Sequence, residues 1–194
     1  MAEETKFCIC CGEAVPYRRI TRDGNEELLC VYCGFVVDTA HEPAPPARCI
    51  ITVDDAEPVR HLLETLLINK RLADTVLTAD NGREFVGLFN QRLADHQPVD
   101  MVILDLEMPV MGGVSAARVM RSLEDKYHVA RTPIIFFSAR QCDDELKRQL
   151  GVFVPARYVN KGSSPHVNDL ADRVDQLVTA LLNERAAAEK HRQE

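Results

Sequence analysis

The hydrophobic rhythm of the chain changes once, near Arg48. From there on, short apolar runs alternate with stretches whose apolar residues recur every three or four positions. "CIITV", "DTVLTA", "MVILDL", "PIIFFSA" and "RYVNK" read as five strands, because short apolar runs bounded by turn residues suit a sheet covered on both faces. After the first run, Val59, Leu62, Leu63, Leu66 and Leu67 fall at i, i+3, i+4, i+7 and i+8, one face of a helix. Phe85, Leu88 and Phe89 mark a second helix, and Val167, Leu170, Val174, Val178 and Leu181 form the stripe of the last. Strands alternating with helices predict an α/β fold with a five-stranded, doubly wound parallel sheet, flavodoxin-like (βα)5 in the order 2-1-3-4-5.

The period is absent before Arg48. "TAHEPAPPAR" carries Pro43, Pro45 and Pro46, which lack backbone donors and favour an extended spacer. The expected organisation is a small module over 1–40, a Pro-rich linker over 41–47, the α/β domain over 48–183 and a helical or frayed tail over 184–194. The tail, "ERAAAEKHRQE", has helix propensity but little to bury.

The start "MAEETKFCIC" lacks the basic and apolar regions of a signal peptide, and no run of 18 apolar residues offers a membrane span. A cytoplasmic location is expected, where the seven cysteines stay reduced and paired spacings point to metal. Four of them form Cys8-x2-Cys11 and Cys30-x2-Cys33 with 18 residues between, a structural zinc spacing. The predicted small module is therefore a zinc ribbon holding Zn²⁺ through Cys8, Cys11, Cys30 and Cys33. An iron-bearing, rubredoxin-like centre is the alternative and would be coloured.

Charge narrows the partners. The whole chain carries a formal −7, and residues 1–47 hold four Lys or Arg (Lys6, Arg18, Arg19, Arg22) against eight Asp or Glu. Nucleic-acid affinity rests mainly on cations neutralising phosphates, so a docking or structural role is expected for the ribbon and nucleic acid is not the expected partner. A ribbon that binds nucleic acid under control of the α/β domain is kept as an alternative.

Acidic residues gather where such a sheet places its sites, outside the carboxyl ends of the strands at the switch in strand order. Asp54 and Asp55 end the first strand, and Asp105 ends the third, inside "MVILDLEMPVMGG". Three carboxylates in one crevice repel one another unless a cation joins them, and a hard divalent ion such as Mg²⁺ suits them. Ser138 and Lys161 close the fourth and fifth strands at the same edge. A hydroxyl and an ammonium beside Mg²⁺ make a clamp for a phosphoryl group, with Asp105 as the carboxylate nucleophile that becomes an aspartyl phosphate.

"VDD", "VILDLEMPVMGG", "FFSA" and "YVNK", in this order over about residues 48–183, resemble the receiver domain of two-component response regulators. The resemblance implies that Asp105 is the phosphoacceptor, Asp54 and Asp55 the acidic pair, and Ser138 the switch hydroxyl. It makes Lys161 the phosphate-contacting lysine and Tyr158 the switch aromatic. Glu107 takes the position whose backbone carbonyl joins the Mg²⁺ shell. Such a protein accepts phosphate from a histidine kinase or phosphotransfer protein and signals through altered docking to a downstream protein. Here no attached DNA-binding effector is expected, and no enzymatic activity beyond the domain's own phosphorylation and dephosphorylation.

The chain departs from the family pattern at Gly112, where Asp or Asn is usual, and at Gly162, where a cis proline usually follows the lysine. A trans Lys161–Gly162 bond is expected, because cis costs a non-proline bond about 2.5–4 kcal/mol, with "GSSP" taking its own route into the last helix. Glu107 and Arg140, two after the nucleophile and two after the switch hydroxyl, are expected to pair across the phosphoryl group and slow dephosphorylation, with Arg140 leaning towards the phosphate as the alternative. A Mg²⁺-dependent phosphohydrolase of haloacid-dehalogenase type is the enzyme alternative. Those enzymes carry Asp-x-Asp at the first strand, whereas here Leu106 and Glu107 follow the nucleophile and the acidic pair precedes it.

Overall fold

The computed structural model describes residues 5–8, 11, 13–22, 25–34, 36–38, 45–140, 143–162 and 167–190. Four antiparallel strands, β1 (Thr5–Cys8), β2 (Glu13–Arg22), β3 (Asn25–Cys30) and β4 (Val36–Asp38), lie in chain order in one sheet. Cys8 pairs with Glu13 and Cys30 with Tyr17, so both cysteine pairs emerge at the same end of β2. The buried apolar side chains described there are Cys8, Val15, Leu28 and Cys30. That is a very small core.

The second sheet holds β5 (Ile50–Val53), β6 (Val76–Ala79), β7 (Met101–Leu104), β8 (Ile134–Ser138) and β9 (Ala156–Asn160). Its order is β6-β5-β7-β8-β9, all parallel, which is the expected 2-1-3-4-5 arrangement of a flavodoxin-like fold. Successive strand residues face opposite sides, yet every residue of β5, β7 and β8 is buried. Both faces must therefore be covered. The helices that follow the strands are α1 (Glu57–Asn69), α2 (Gly82–Ala94), α3 (Gly113–Tyr127), α4 (Asp144–Leu150) and α5 (Val167–Lys190).

Local chemistry sets where these helices begin. Pro58 sits in the first turn of α1, where a missing N–H costs nothing, and Leu63, Leu66 and Leu67 bury its inner face. Asn81 caps α2 by accepting from the amides of Arg83 (2.9 Å) and Glu84 (3.0 Å), ahead of buried Phe85, Phe89 and Leu93. Asp143 caps the short α4 through the amide of Leu146 (2.7 Å). On α5, Val174, Val178 and Leu181 are buried as the stripe requires, and the helix continues through Lys190. The side chains of Val167 and Leu170, and residues 191–194, lie outside the description. Among the described residues no helix is long and apolar enough to cross a membrane.

Gly113 opens α3 because nothing larger fits. A Cβ there would lie 2.0 Å from the carbonyl oxygen of Asp105 and 3.0 Å from Leu106 Cα, both backbone atoms that cannot swing aside. Gly113→Ala is expected to lower stability by at least about 3 kcal/mol, the upper range of overpacking costs, and urea unfolding measures it. A loss under about 1 kcal/mol would show that the loop yields.

Asp100, just before β7, is a buried carboxylate that joins distant parts of the chain. It accepts the Arg48 amide (2.7 Å) and guanidinium (2.9 Å), and Arg185 of α5 approaches at 2.6 Å. Next to Arg48, Ala47 is buried and exchanges backbone hydrogen bonds with Leu72 and Asp74, both 2.8 Å. Burial pushes the Asp100 carboxyl upward, but Arg48 and Arg185 outweigh it and hold it below the usual carboxylate value. A depressed carboxylate stabilises the fold above its unfolded pKa of about 3.9 and loses that contribution as pH falls through the folded value. Asp100→Asn is therefore expected to cost about 1–3 kcal/mol at pH 7 and to flatten the fall in stability below about pH 4. Parallel urea titrations of both proteins at pH 7 and pH 3 check this. An equal gap at both pH values would contradict it.

Candidate functional site

The carboxyl edge of the parallel sheet gathers the predicted residues. Asp54 follows β5 and Asp105 follows β7, both buried, with Asp55 exposed beside them. One oxygen from each of the three lies within 4.8 Å of the others. Lys161, just past β9, reaches between them, its Nζ 2.7 Å from Asp105 Oδ2 and 2.6 Å from Asp54 Oδ2. The bond to Asp105 is a directed hydrogen bond. The contact with Asp54 Oδ2 is an ion pair that is closer still.

Backbone groups hold the remaining acceptors in place. Asp54 Oδ1 takes the amide of Ala56 (3.0 Å), and Asp105 Oδ1 takes the amide of Glu107 (3.3 Å). Burial raises the Asp54 carboxyl above its usual value, with the negative charge of Asp105 adding, against the opposing pull of Lys161 and the Ala56 amide. Burial would lower Lys161, but Asp105 and Asp54 outweigh it and raise its pKa. Three carboxylates stand together with one ammonium, which pairs with Asp54 and Asp105, leaving an excess of negative charge. That donor set fits a hard divalent cation.

Ser138 is buried at the end of β8, its Oγ accepting the amide of Arg140 (3.3 Å) and its carbonyl accepting that of Lys161 (2.8 Å). Tyr158, buried on β9, donates its hydroxyl to the carbonyl of Arg140 and, at 3.4 Å, to that of Ser138. Asn160 Nδ2 reaches the Arg140 carbonyl as well (2.8 Å). Arg140 is thus the hub of the loop after β8. The sequence reading missed this role, and Asn160, the residue before the lysine in "YVNK", was the available signal.

The expected Glu107–Arg140 pair does not form. Arg140 Nη2 lies 3.4 Å from Asp143 Oδ2, while Glu107 has an exposed side chain and makes no ion pair among the described residues. Asp143 is three residues along the same loop and already held as the cap of α4, so it is the nearer carboxylate. Among the described residues the cis bond is Val154–Pro155, and Lys161–Gly162 is trans with Gly162 at φ 77°. Of "GSSP", the residues after Gly162 lie outside the description.

In the antiparallel sheet, Cys8, Cys11, Cys30 and Cys33 bring their sulfurs within 4.8 Å of one another. The Cys8–Cys33 and Cys11–Cys30 pairs stand at 3.5 and 3.7 Å. A tetrahedral site with ~2.3 Å metal–sulfur bonds has edges of about 3.8 Å, near these two separations. Cys8 Sγ accepts the amide of Cys11 (3.4 Å), and Cys30 Sγ those of Tyr32 (3.3 Å) and Cys33 (3.4 Å). Such bonds favour thiolates. Without a cation the crowding opposes ionisation. Cys11 lowers the Cys8 thiol, but Cys33 and burial push it up to about 12, and Cys11 is raised by Cys33, by Cys8 and by burial.

A family profile described as Response regulator receiver domain matches residues 50–171. The chain belongs to this family. Over 93 residues this receiver is 36% identical to the protein-glutamate methylesterase/protein-glutamine glutaminase of Nocardioides sp., covering 48% of this chain and 23% of that one. Over 90 residues it is 38% identical to the regulatory protein AtoC of Escherichia coli K12, covering 46% and 17%. The match thus spans less than a quarter of either relative. Among solved structures, the receiver domain of the histidine kinase CKI1 from Arabidopsis thaliana, complexed with Mg²⁺ and BeF3⁻, superposes with a TM-score of 0.56 and 26% identity. That match covers 68% of this chain and 90% of the CKI1 chain. The response regulator domain of Thermotoga maritima CheB shares the fold at a TM-score of 0.56 and 18% identity, covering 71% and 97%.

Proposed function

We propose that this receiver accepts a phosphoryl group on Asp105 from a histidine kinase or phosphotransfer protein and signals by changed docking to a downstream protein. The supporting observation is the cluster of the Asp54, Asp55 and Asp105 carboxylates, with the Lys161 ammonium set against Asp54 and Asp105. Asp54, Asp55, Asp105 and the backbone carbonyl of Glu107 would hold Mg²⁺. When bound, the ion neutralises charge and aligns the phosphoryl oxygens.

The chain's own groups carry the chemistry. An oxygen of the Asp105 carboxylate attacks phosphorus as the bond to the leaving group breaks, and that group, an imidazole or acetate, leaves with the electron pair. Lys161 then turns from the carboxylates to the phosphoryl oxygens, and the Ser138 hydroxyl donates to one of them as its Oγ draws away from the Arg140 amide. Tyr158, held on Arg140, follows the loop as the switch aromatic. No turnover of other substrates is part of this reading.

Cys8, Cys11, Cys30 and Cys33 would hold one structural Zn²⁺ in a closed tetrathiolate that organises the small sheet. Acetyl phosphate with Mg²⁺ should give one label per chain, without turnover of p-nitrophenyl phosphate. Sustained turnover would favour the phosphohydrolase, and a coloured, iron-loaded protein would replace zinc with iron.

A further inference from the structure

We infer that the second cysteine knuckle acts as a sensor seated on α4, so that metal in the ribbon and phosphate on Asp105 influence each other. This rests on the function proposed above. Between Cys30 and Cys33 the chain exposes Val31 (47%) and Tyr32 (49%). The Tyr32 ring does not face only water: the Lys147 ammonium of α4 lies 5.5 Å from its centroid. It is a cation–π contact between the two sheets' modules, and such contacts fade beyond about 6 Å.

Each end of this contact is tied to one of the two sites. Cys30 Sγ accepts the amide of Tyr32 itself, so a metal that fixes Cys30 also fixes the turn carrying the ring. On the other side, α4 is a seven-residue helix hung on the loop after β8. Its cap, Asp143, pairs with Arg140, whose amide is held by Ser138 Oγ. Drawing the Ser138 hydroxyl to a phosphoryl group releases that amide and shifts the cap of α4, carrying Lys147 off the ring. The contact belongs to the unphosphorylated, metal-loaded state, so phosphorylation weakens zinc binding. By reciprocity, zinc disfavours phosphorylation by the same factor.

An exposed cation–π contact bounds the effect at roughly two- to fivefold in affinity. The full chain serves for the test, with the zinc dissociation constant read by competition with the chromophoric chelator 4-(2-pyridylazo)resorcinol. Mg²⁺ is present in both arms and beryllofluoride in one, as the phosphoryl mimic. Zinc should bind two- to fivefold more weakly with beryllofluoride, and the difference should vanish in Tyr32→Leu and in Lys147→Met. Both variants should still bind one zinc and one beryllofluoride per chain. If both ligands bind but zinc affinity is unchanged or tighter, or the variants keep the difference, the coupling is refuted and the receiver reading stands. A chain that binds no zinc removes the zinc centre and the coupling with it while leaving the receiver reading in place, whereas one that binds no beryllofluoride overturns the receiver reading and the coupling together.

Discussion

Asp105→Asn is expected to abolish covalent labelling by acetyl phosphate while leaving the receiver folded. An amide has the size of the carboxylate but is a poor nucleophile, so the label should fall to background rather than by a modest factor. The fold should hold because the change removes one of three crowded negative charges and leaves Lys161 its 2.6 Å contact with Asp54. Burial already raises the Asp54 carboxyl, and Asp105 adds to that strain, so the variant should unfold no earlier in urea than the wild type. Mass spectrometry of the phosphorylated chain is the measurement, with Asp55→Ala as a companion that loses label through the metal shell. Label that survives at full stoichiometry in Asp105→Asn would place the nucleophile elsewhere.

Removing metal from the ribbon should have an effect of similar size in a different place. Among its described residues the antiparallel sheet buries only Cys8, Val15, Leu28 and Cys30, far too little apolar surface to offset the ordering of four strands. Structural zinc in such modules is worth about 10–16 kcal/mol at pH 7, so chelation should unfold the sheet outright. Amide exchange over β2 and β3 should rise to that of an unfolded chain, while β7 and β8 stay protected by their own core. Labelling of Asp105 should persist, changed by no more than the few-fold coupling to α4. Unchanged protection of β2 and β3 in metal-free protein would remove the zinc centre from the account.

The parts of this molecule that were legible in advance are those encoded by repetition. Ile50–Val53, Met101–Leu104 and Ile134–Ser138 are buried on both faces, and continuous burial leaves a continuous apolar run that can be read directly. The placement of Asp54 and Asp105 followed, because each closes such a run and a parallel sheet puts those ends together, with Lys161 closing the half-buried fifth strand at the same edge. Contacts between segments far apart in the chain left no such trace. Asp100 meets Arg185 across 85 positions, and Tyr32 meets Lys147 from another sheet, with no periodicity linking either pair. Arg140 failed as a predicted partner of Glu107 for a local reason: spacing named two residues at one mouth, but a helix cap three positions away was the closer charge.

The Asp100 carboxylate has a mechanical consequence. Arg48, which follows the antiparallel sheet in the chain, and Arg185 of α5 are moored to the same post at the amino end of β7. Asp105, the proposed phosphoacceptor, stands past the other end of that four-residue strand, five residues on and about 16 Å away at ~3.3 Å per residue. The anchor of both segments thus lies at the opposite edge of the sheet from the acidic mouth, and it is Tyr32, resting on Lys147 of α4, that carries the small module back to the helix following β8.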